Sequence, residues 1–173
     1  MSILPRIGRF RRAIIILAIA TCIGHVGGVF LKERVWYIRG SSMYPTFQDG
    51  RKLIMTWNNS TPHPGDVVLV NVKDPKRPDY EVWLKRIIAV PGNHILIRKG
   101  VYPVFVNGTP ITELYLSENI RVHTYYEKSI DITLGSDEYF IMGDNREDSF
   151  DSRNIGPVSR DKIRHILGSY FTF

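Results

Sequence analysis

Cysteine is all but missing from this chain. Its 173 residues include one, Cys22, which excludes an internal disulfide framework and any cysteine-based zinc site. Internal repeats and low-complexity tracts are absent as well. With 43% hydrophobic and 23% charged residues, that excludes wholesale disorder and a collagen-like chain. What remains is one globular domain's worth of sequence with room for a short appendage. Charge is unevenly spread. The formal net charge is +6, which taken alone invites a nucleic-acid partner. However, Arg6, Arg9, Arg11 and Arg12 carry most of that excess before residue 13. The rest is close to balanced, so no nucleic-acid partner is expected.

Charged residues are missing altogether from Ala13 to Leu31. As a helix such a run reaches about 28 Å, close to the hydrocarbon thickness of a bilayer. Gly24, His25, Gly27 and Gly28 interrupt its second half. Lys32, Glu33 and Arg34 end it, and Trp36 and Tyr37 follow where amphipathic aromatics settle. The arginines before the span predict an N-inside, C-outside orientation. A retained single-span anchor is the expectation. A cleaved leader ending at Ala18-Ile19-Ala20 and a lipoprotein-like Ile19-Ala20-Thr21-Cys22 are the alternatives. The chain is thus divided into a basic tail at 1–12, an anchor at 13–31 and an extracytoplasmic body at 35–173.

Beyond Arg34 long helical periods are lacking. Short runs rich in Val, Ile, Tyr and Phe alternate with turn residues, which predicts a mostly β, antiparallel body. Strands are expected at Val35–Arg39, Leu53–Thr56, Val67–Val72, Val82–Val90, His94–Ile97, Val101–Val106, Ile130–Leu134, Glu138–Met142 and Ile163–Phe171. Asn107-Gly108 suits a tight hairpin. Pro62, Pro64, Gly65 and Asp74–Asp79 mark loops. Residues of about 93–135 are expected to form an excursion or subdomain.

Val82–Val90 is apolar on both faces if extended, so it belongs in a sheet interior. One face would hold Val82, Leu84, Arg86, Ile88 and Val90, the other Trp83, Lys85, Ile87 and Ala89. A desolvated Lys85 would have a depressed pKa and could act as a base near neutral pH. The same pattern also fits a lysine that snorkels to the sheet edge or pairs with a carboxylate. Arg86 reads as structural.

Gly40-Ser41-Ser42-Met43-Tyr44-Pro45-Thr46 places two serines on irregular backbone just past the anchor. A serine hydroxyl needs an adjacent base. There is no Gly-x-Ser-x-Gly elbow, and the five histidines have no catalytic context. Serine with a desolvated lysine is the economical remaining arrangement.

Four segments together resemble the successive boxes of type I signal peptidases. They are Ser42-Met43-x-Pro45-Thr46; Gly65-Asp66-Val67-Val68; Lys85-Arg86 with Pro91-Gly92; and Gly143-Asp144-Asn145-Arg146 with Ser149-x-Asp151-Ser152-Arg153. The resemblance implies a signal-peptidase-like β fold and a membrane-anchored serine protease that removes signal peptides after an Ala-x-Ala-like site. It implies Ser42 as nucleophile, since the family's serine directly precedes Met, and Lys85 as general base. Ser149 would hydrogen-bond the lysine amine, Asp151 and Arg153 would form a supporting ion pair, and Asp144 would support the same loop. The implied partners are preproteins with signal peptides, membrane lipid and the export machinery, and no cofactor or metal. A calcium-loop reading of Asp144, Asp148 and Asp151 fails, because Ser149 and Ile155 stand where such a loop needs glycine and glutamate.

The departures from the family pattern are specific. Gly40 occupies the position where some members carry a side-chain oxyanion donor, which leaves the Ser42 backbone N–H for that role. On that ground Gly40→Ser is expected to raise turnover. Asn154-Ile155-Gly156 replaces the usual aromatics, and Asn93 an aspartate. The bacterial plasma membrane is the expected location, with the mitochondrial inner membrane the alternative. The alternative function is an inactive or specialised membrane-tethered module that binds exported peptides.

Overall fold

The computed structural model describes residues 34–58, 60–72, 82–123 and 125–172. The expected tail and anchor, and the loop expected at Asp74–Asp79, lie outside them. No helix among the described residues is long and apolar enough to cross a membrane.

Among the described residues eleven strands run in chain order: β1 (Arg34–Tyr37), β2 (Lys52–Asn58), β3 (Val67–Asn71), β4 (Val82–Ala89), β5 (His94–Arg98), β6 (Val101–Val106), β7 (Thr109–Pro110), β8 (Ile130–Thr133), β9 (Glu138–Met142), β10 (Val158–Ser159) and β11 (Ile163–Thr172). The described helices are short: α1 (Glu118–His123), α2 (Ser152–Ile155) and one 3-10 turn at Arg160–Lys162. Every run expected to be extended corresponds to a strand, so the body is mostly β. The two-residue strands and the short helices were not anticipated. Their segments are too short for a hydrophobic period to register.

The strands form a seven-stranded sheet in the order β1-β2-β11-β3-β4-β9-β10 and a four-stranded sheet in the order β7-β6-β5-β8. From β2 to β10 in the large sheet, and throughout the small one, neighbouring strands are antiparallel. β4 lies inside the large sheet between β3 and β9, as its two-sided apolarity predicts. Tyr139 and Ile141 on β9 pack with Val68, Val70, Ile87, Ile163 and Ile166. Phe140 and Met142 point the other way and share a second core with Ile88 of β4 and Ile95, Ile97 and Val104 of the small sheet. This is the two-residue alternation of a strand with both faces covered.

Two face assignments need correction, Ala89 and Val90; Val90 packs against the cluster of Ile87 rather than with Ile88. Ala89 was expected beside Ile87, yet it packs with Ile88 in the core shared by the two sheets. The β4–β9 register shifts between Ile87, opposite Ile141, and Ala89, opposite Phe140. The residue inserted there resets the alternation. Before the shift the expected faces stand: Lys85 is opposite Val68 and Trp83 opposite Val70, on the side of Ile87.

Candidate active site

β4 loses its β9 neighbour at the position that matters. β9 ends at Met142, opposite Arg86, so the strip of β4 next to Lys85 is bordered by loop rather than strand. Two loops meet there. The first, residues 40–47, is held from below by Met43 and Phe47, both buried in the core with Ile38, Leu53, Met55 and Val67. Its turns are closed by Tyr44 N–H to Ser41 O at 2.9 Å and Phe47 N–H to Met43 O at 2.9 Å. Gly40 enters with φ 89°, and its N–H donates to Asp49 Oδ1 at 2.7 Å. The second loop, residues 143–151, follows β9 and runs into α2.

The loops are joined through the backbone of the serine pair. Asn145 N–H donates to Ser42 O at 3.0 Å, and Asn145 Nδ2 donates to Ser41 O at 3.2 Å. Gly143 lies against both strands of this junction. A Cβ there would collide with the Ser42 carbonyl oxygen and Ser149 Oγ, and would stand 2.6 Å from Ser149 Cβ. Only glycine permits so close an approach.

Within this frame Lys85 Nζ is 2.8 Å from Ser42 Oγ. The lysine is 4% exposed. Its other described hydrogen bond goes to its neighbour's carbonyl, Leu84 O, at 3.2 Å, and Nζ stands 5.7 Å from the Trp83 ring centroid. Burial lowers the Lys85 pKa from 10.5 to about 8, against the opposing pull of Asp151 and with help from Arg153. An appreciable fraction of neutral amine therefore exists near physiological pH, within reach of a hydroxyl proton. Ser41 is exposed and turns elsewhere: its Oγ donates to Asp148 Oδ2.

Asp151 is the hub of the second loop. It is fully buried and receives Arg153 Nε and Nη2, each at 2.8 Å. It also accepts Gly143 N–H at 2.9 Å and caps α2 through Arg153 N–H at 3.1 Å. Burial alone would raise its pKa, but the Arg153 hydrogen bonds and charge outweigh burial and hold the carboxyl below the usual range. Ser149 differs from its implied place. Its Oγ donates to Asp151 Oδ2 at 2.8 Å, and no described hydrogen bond links it to the amine. Arg153 holds the Asp151 carboxyl ionised, and an ionised carboxylate is a strong acceptor for the Ser149 hydroxyl proton.

Asp144 faces a third partner. Arg86 grips it bidentately, Nε to Oδ1 at 2.8 Å and Nη2 to Oδ2 at 2.6 Å, while Thr46 Oγ1 donates to Oδ2 at 2.5 Å. Arg86 Nη1 also donates to Gly65 O at 2.8 Å. Arg86 is thus structural, and it ties three of the four sequence boxes to one another. Thr46 and Gly143 stood in the quoted motifs but carried no assigned role; the close contacts that define their roles exist only across loops. Gly40 also changes meaning. At φ 89° it sits where side chains are disfavoured, so Gly40→Ser would strain the loop. The expected gain in turnover loses its basis.

Comparison with known proteins identifies the family. The family model described as signal peptidase, peptidase S26, matches residues 9–170. Signal peptidase I V of Bacillus subtilis (strain 168) is 32% identical over 164 residues, covering 88% of this chain and 92% of that protein. Signal peptidase I of Bacillus amyloliquefaciens is 34% identical over 165 residues, covering 87% and 77%. The crystal structure of a signal peptidase I from Enterococcus faecalis V583 superposes with a TM-score of 0.51 at 24% identity. It covers 64% of this chain and all of that one, a likeness of fold. A Ser–Lys contact at the meeting of four ordered motifs and this extent of similarity lead to one conclusion: the chain belongs to the signal peptidase family, peptidase S26, and is a serine peptidase that cleaves signal peptides.

Proposed function

We propose that Ser42 is the nucleophile and Lys85 the general base of a membrane-anchored signal peptidase acting after Ala-x-Ala-like sites. The observation that carries this reading is the 2.8 Å approach of Lys85 Nζ to Ser42 Oγ. Neutral Lys85 removes the Ser42 hydroxyl proton as Oγ attacks the scissile carbonyl. The resulting ammonium returns that proton to the departing amine as the C–N bond breaks, leaving an acyl ester on Ser42. Lys85 then takes a proton from water as its oxygen attacks the ester, and returns that proton to Ser42 Oγ as the ester C–O bond breaks, which frees the carboxyl product and restores the neutral amine. The backbone N–H of Ser42 stabilises the oxyanion, with Gly40 offering no side chain. Asp151, Arg153, Asp144 and Ser149 support the loop that faces the amine.

Residues 13–31 form the anchor, with the basic tail at 1–12 on the cytoplasmic side and the catalytic domain at 35–173 on the outer face of a bacterial plasma membrane. Residues of about 93–135 act as a subdomain of it. Membrane lipid and the export machinery bring the preprotein, whose residues before the cleavage site lie extended along a strand edge.

Detergent-purified full-length protein, wild type beside Lys85→Ala and Ser42→Ala, should be given an Ala-x-Ala preprotein and the products sized by mass spectrometry. Cleavage at that site by wild type alone is the expected result. Cleavage by Lys85→Ala at the wild-type rate would refute the lysine base.

A further inference from the structure

A buried charge cluster lies behind the active-site loop and uses residues that the chemistry above does not touch. Arg146 follows Gly143 by three positions, and its side chain is fully buried. Its Nε donates to Gly143 O at 3.0 Å. Its fork grips Glu113, Nη1 to Oε2 at 3.0 Å and Nη2 to Oε1. Glu113 is itself 2% exposed and takes the Tyr115 hydroxyl at 2.5 Å. Glu113 belongs to the connection between β7 and α1, part of the excursion that carries the small sheet. The turn that presents it is closed by Leu116 N–H to Glu113 O at 3.0 Å, with Leu116 buried.

The cluster reaches the site by two more routes. The Arg86 guanidinium stacks on the Tyr115 ring at 3.8 Å, one residue from Lys85. Arg153, the partner of Asp151, donates Nη1 to Arg146 O at 2.5 Å. A surface ion pair would have no such consequences. Here a carboxylate from one sheet's connection fixes the guanidinium that holds the Gly143 carbonyl, and Gly143 is wedged against Ser42 O and Ser149.

We infer that Glu113 is a positioning residue for peptide-bond cleavage: through Arg146 it sets the backbone of Gly143 and thereby the approach of Ser42 to Lys85. The inference rests on the Ser42–Lys85 reading. A misplacement of about 1 Å at the reacting atoms can cost about 100-fold in rate, so the effect belongs in kcat rather than KM.

The test compares wild type, Glu113→Gln, the double variant Glu113→Leu with Arg146→Met, and Lys85→Met, all as full-length protein in detergent. Each is assayed well below its melting temperature on an Ala-x-Ala preprotein. Glu113→Gln is expected to lose at least about 10-fold in kcat with KM nearly unchanged. The double variant replaces a buried ion pair by apolar groups, which is commonly neutral or stabilising. It should therefore melt near wild type yet remain slow, because Gly143 O has lost its donor. A merely structural pair would behave otherwise: the double variant would recover activity along with its melting temperature. Wild-type kcat in Glu113→Gln, or in a double variant of restored melting temperature, overturns the inference. Lys85→Met separates the two readings. If it is inactive while Glu113→Gln matches wild type, the positioning role alone fails; if it cleaves normally, the dyad fails and the positioning role with it.

Discussion

A lysine proposed to work in its neutral form is a burden on the fold that holds it. Lys85 titrates at about 8 in place of 10.5 because burial disfavours its ammonium form. That difference corresponds to about 3 kcal/mol against folding wherever the lysine is protonated in both states. The sign follows from linkage: below pH 8 the cost is complete, and it is relieved as pH rises from 8 toward 10.5, where the unfolded chain still binds the proton that the folded one has released. Lys85→Met should therefore be more stable than wild type at pH 7, by up to about 3 kcal/mol. Urea unfolding from pH 6 to 10.5 should show the gap narrowing above pH 8; a constant gap would mean that the lysine is not the strained group. In cleavage assays of wild type, kcat/KM should rise with pH toward a plateau above about 8 as the free amine forms.

At the scale of elements, the site depends on where strands stop. β9 gives way to loop opposite Arg86, one residue short of Lys85, and the space beside the lysine is filled by backbone from residues 40–47 and 143–151. Asp151 caps α2 and holds Gly143 N–H with the same carboxylate, so a four-residue helix with little stability of its own is tied to the loop that abuts Ser42. Gly143→Ala should be the clearest probe of this junction. Its Cβ would meet Ser42 O and Ser149 Oγ, both held by other bonds. An activity loss of about 100-fold is expected with the far-ultraviolet circular dichroism of a folded β protein retained. Near-normal turnover would show that the Ser42 loop can yield without cost.

For the described domain as a whole, the two sheets share a core. Phe140 and Met142 on one side and Ile95, Ile97 and Val104 on the other pack in a single cluster. Arg146 and Glu113 add a buried ionic link between the loop after β9 and the connection after β7. Phe140→Ala is accordingly expected to destabilise the domain by about 3–5 kcal/mol, with both sheets unfolding in one transition. Coincident fluorescence and circular dichroism curves would bear this out, and separate midpoints would show that the small sheet folds independently.

Much of this was readable along the chain because the signals involved are local. Two-residue alternation and β-branched content mark the strands, and an apolar run on both faces marks β4 as interior. The order of four short motifs marks the family, with Ser42 and Lys85 within them. What could not be read depends on contacts between segments distant in sequence. The inserted residue at Ile87–Ala89 turns Ala89 to the other core, and nothing in an unbroken apolar run shows where an alternation will be reset. The Ser149 hydroxyl donates to Asp151 because folding sets that carboxylate, held ionised by Arg153, 2.8 Å from it. The left-handed backbone of Gly40 is set by its loop and by Asp49. Glu113 lies 33 residues from Arg146 in a connection with no period or motif. Residue types and local spacing thus determined the strands and the chemistry available, whereas packing across loops decided which groups meet, because desolvation, hydrogen bonding and close approach act through space.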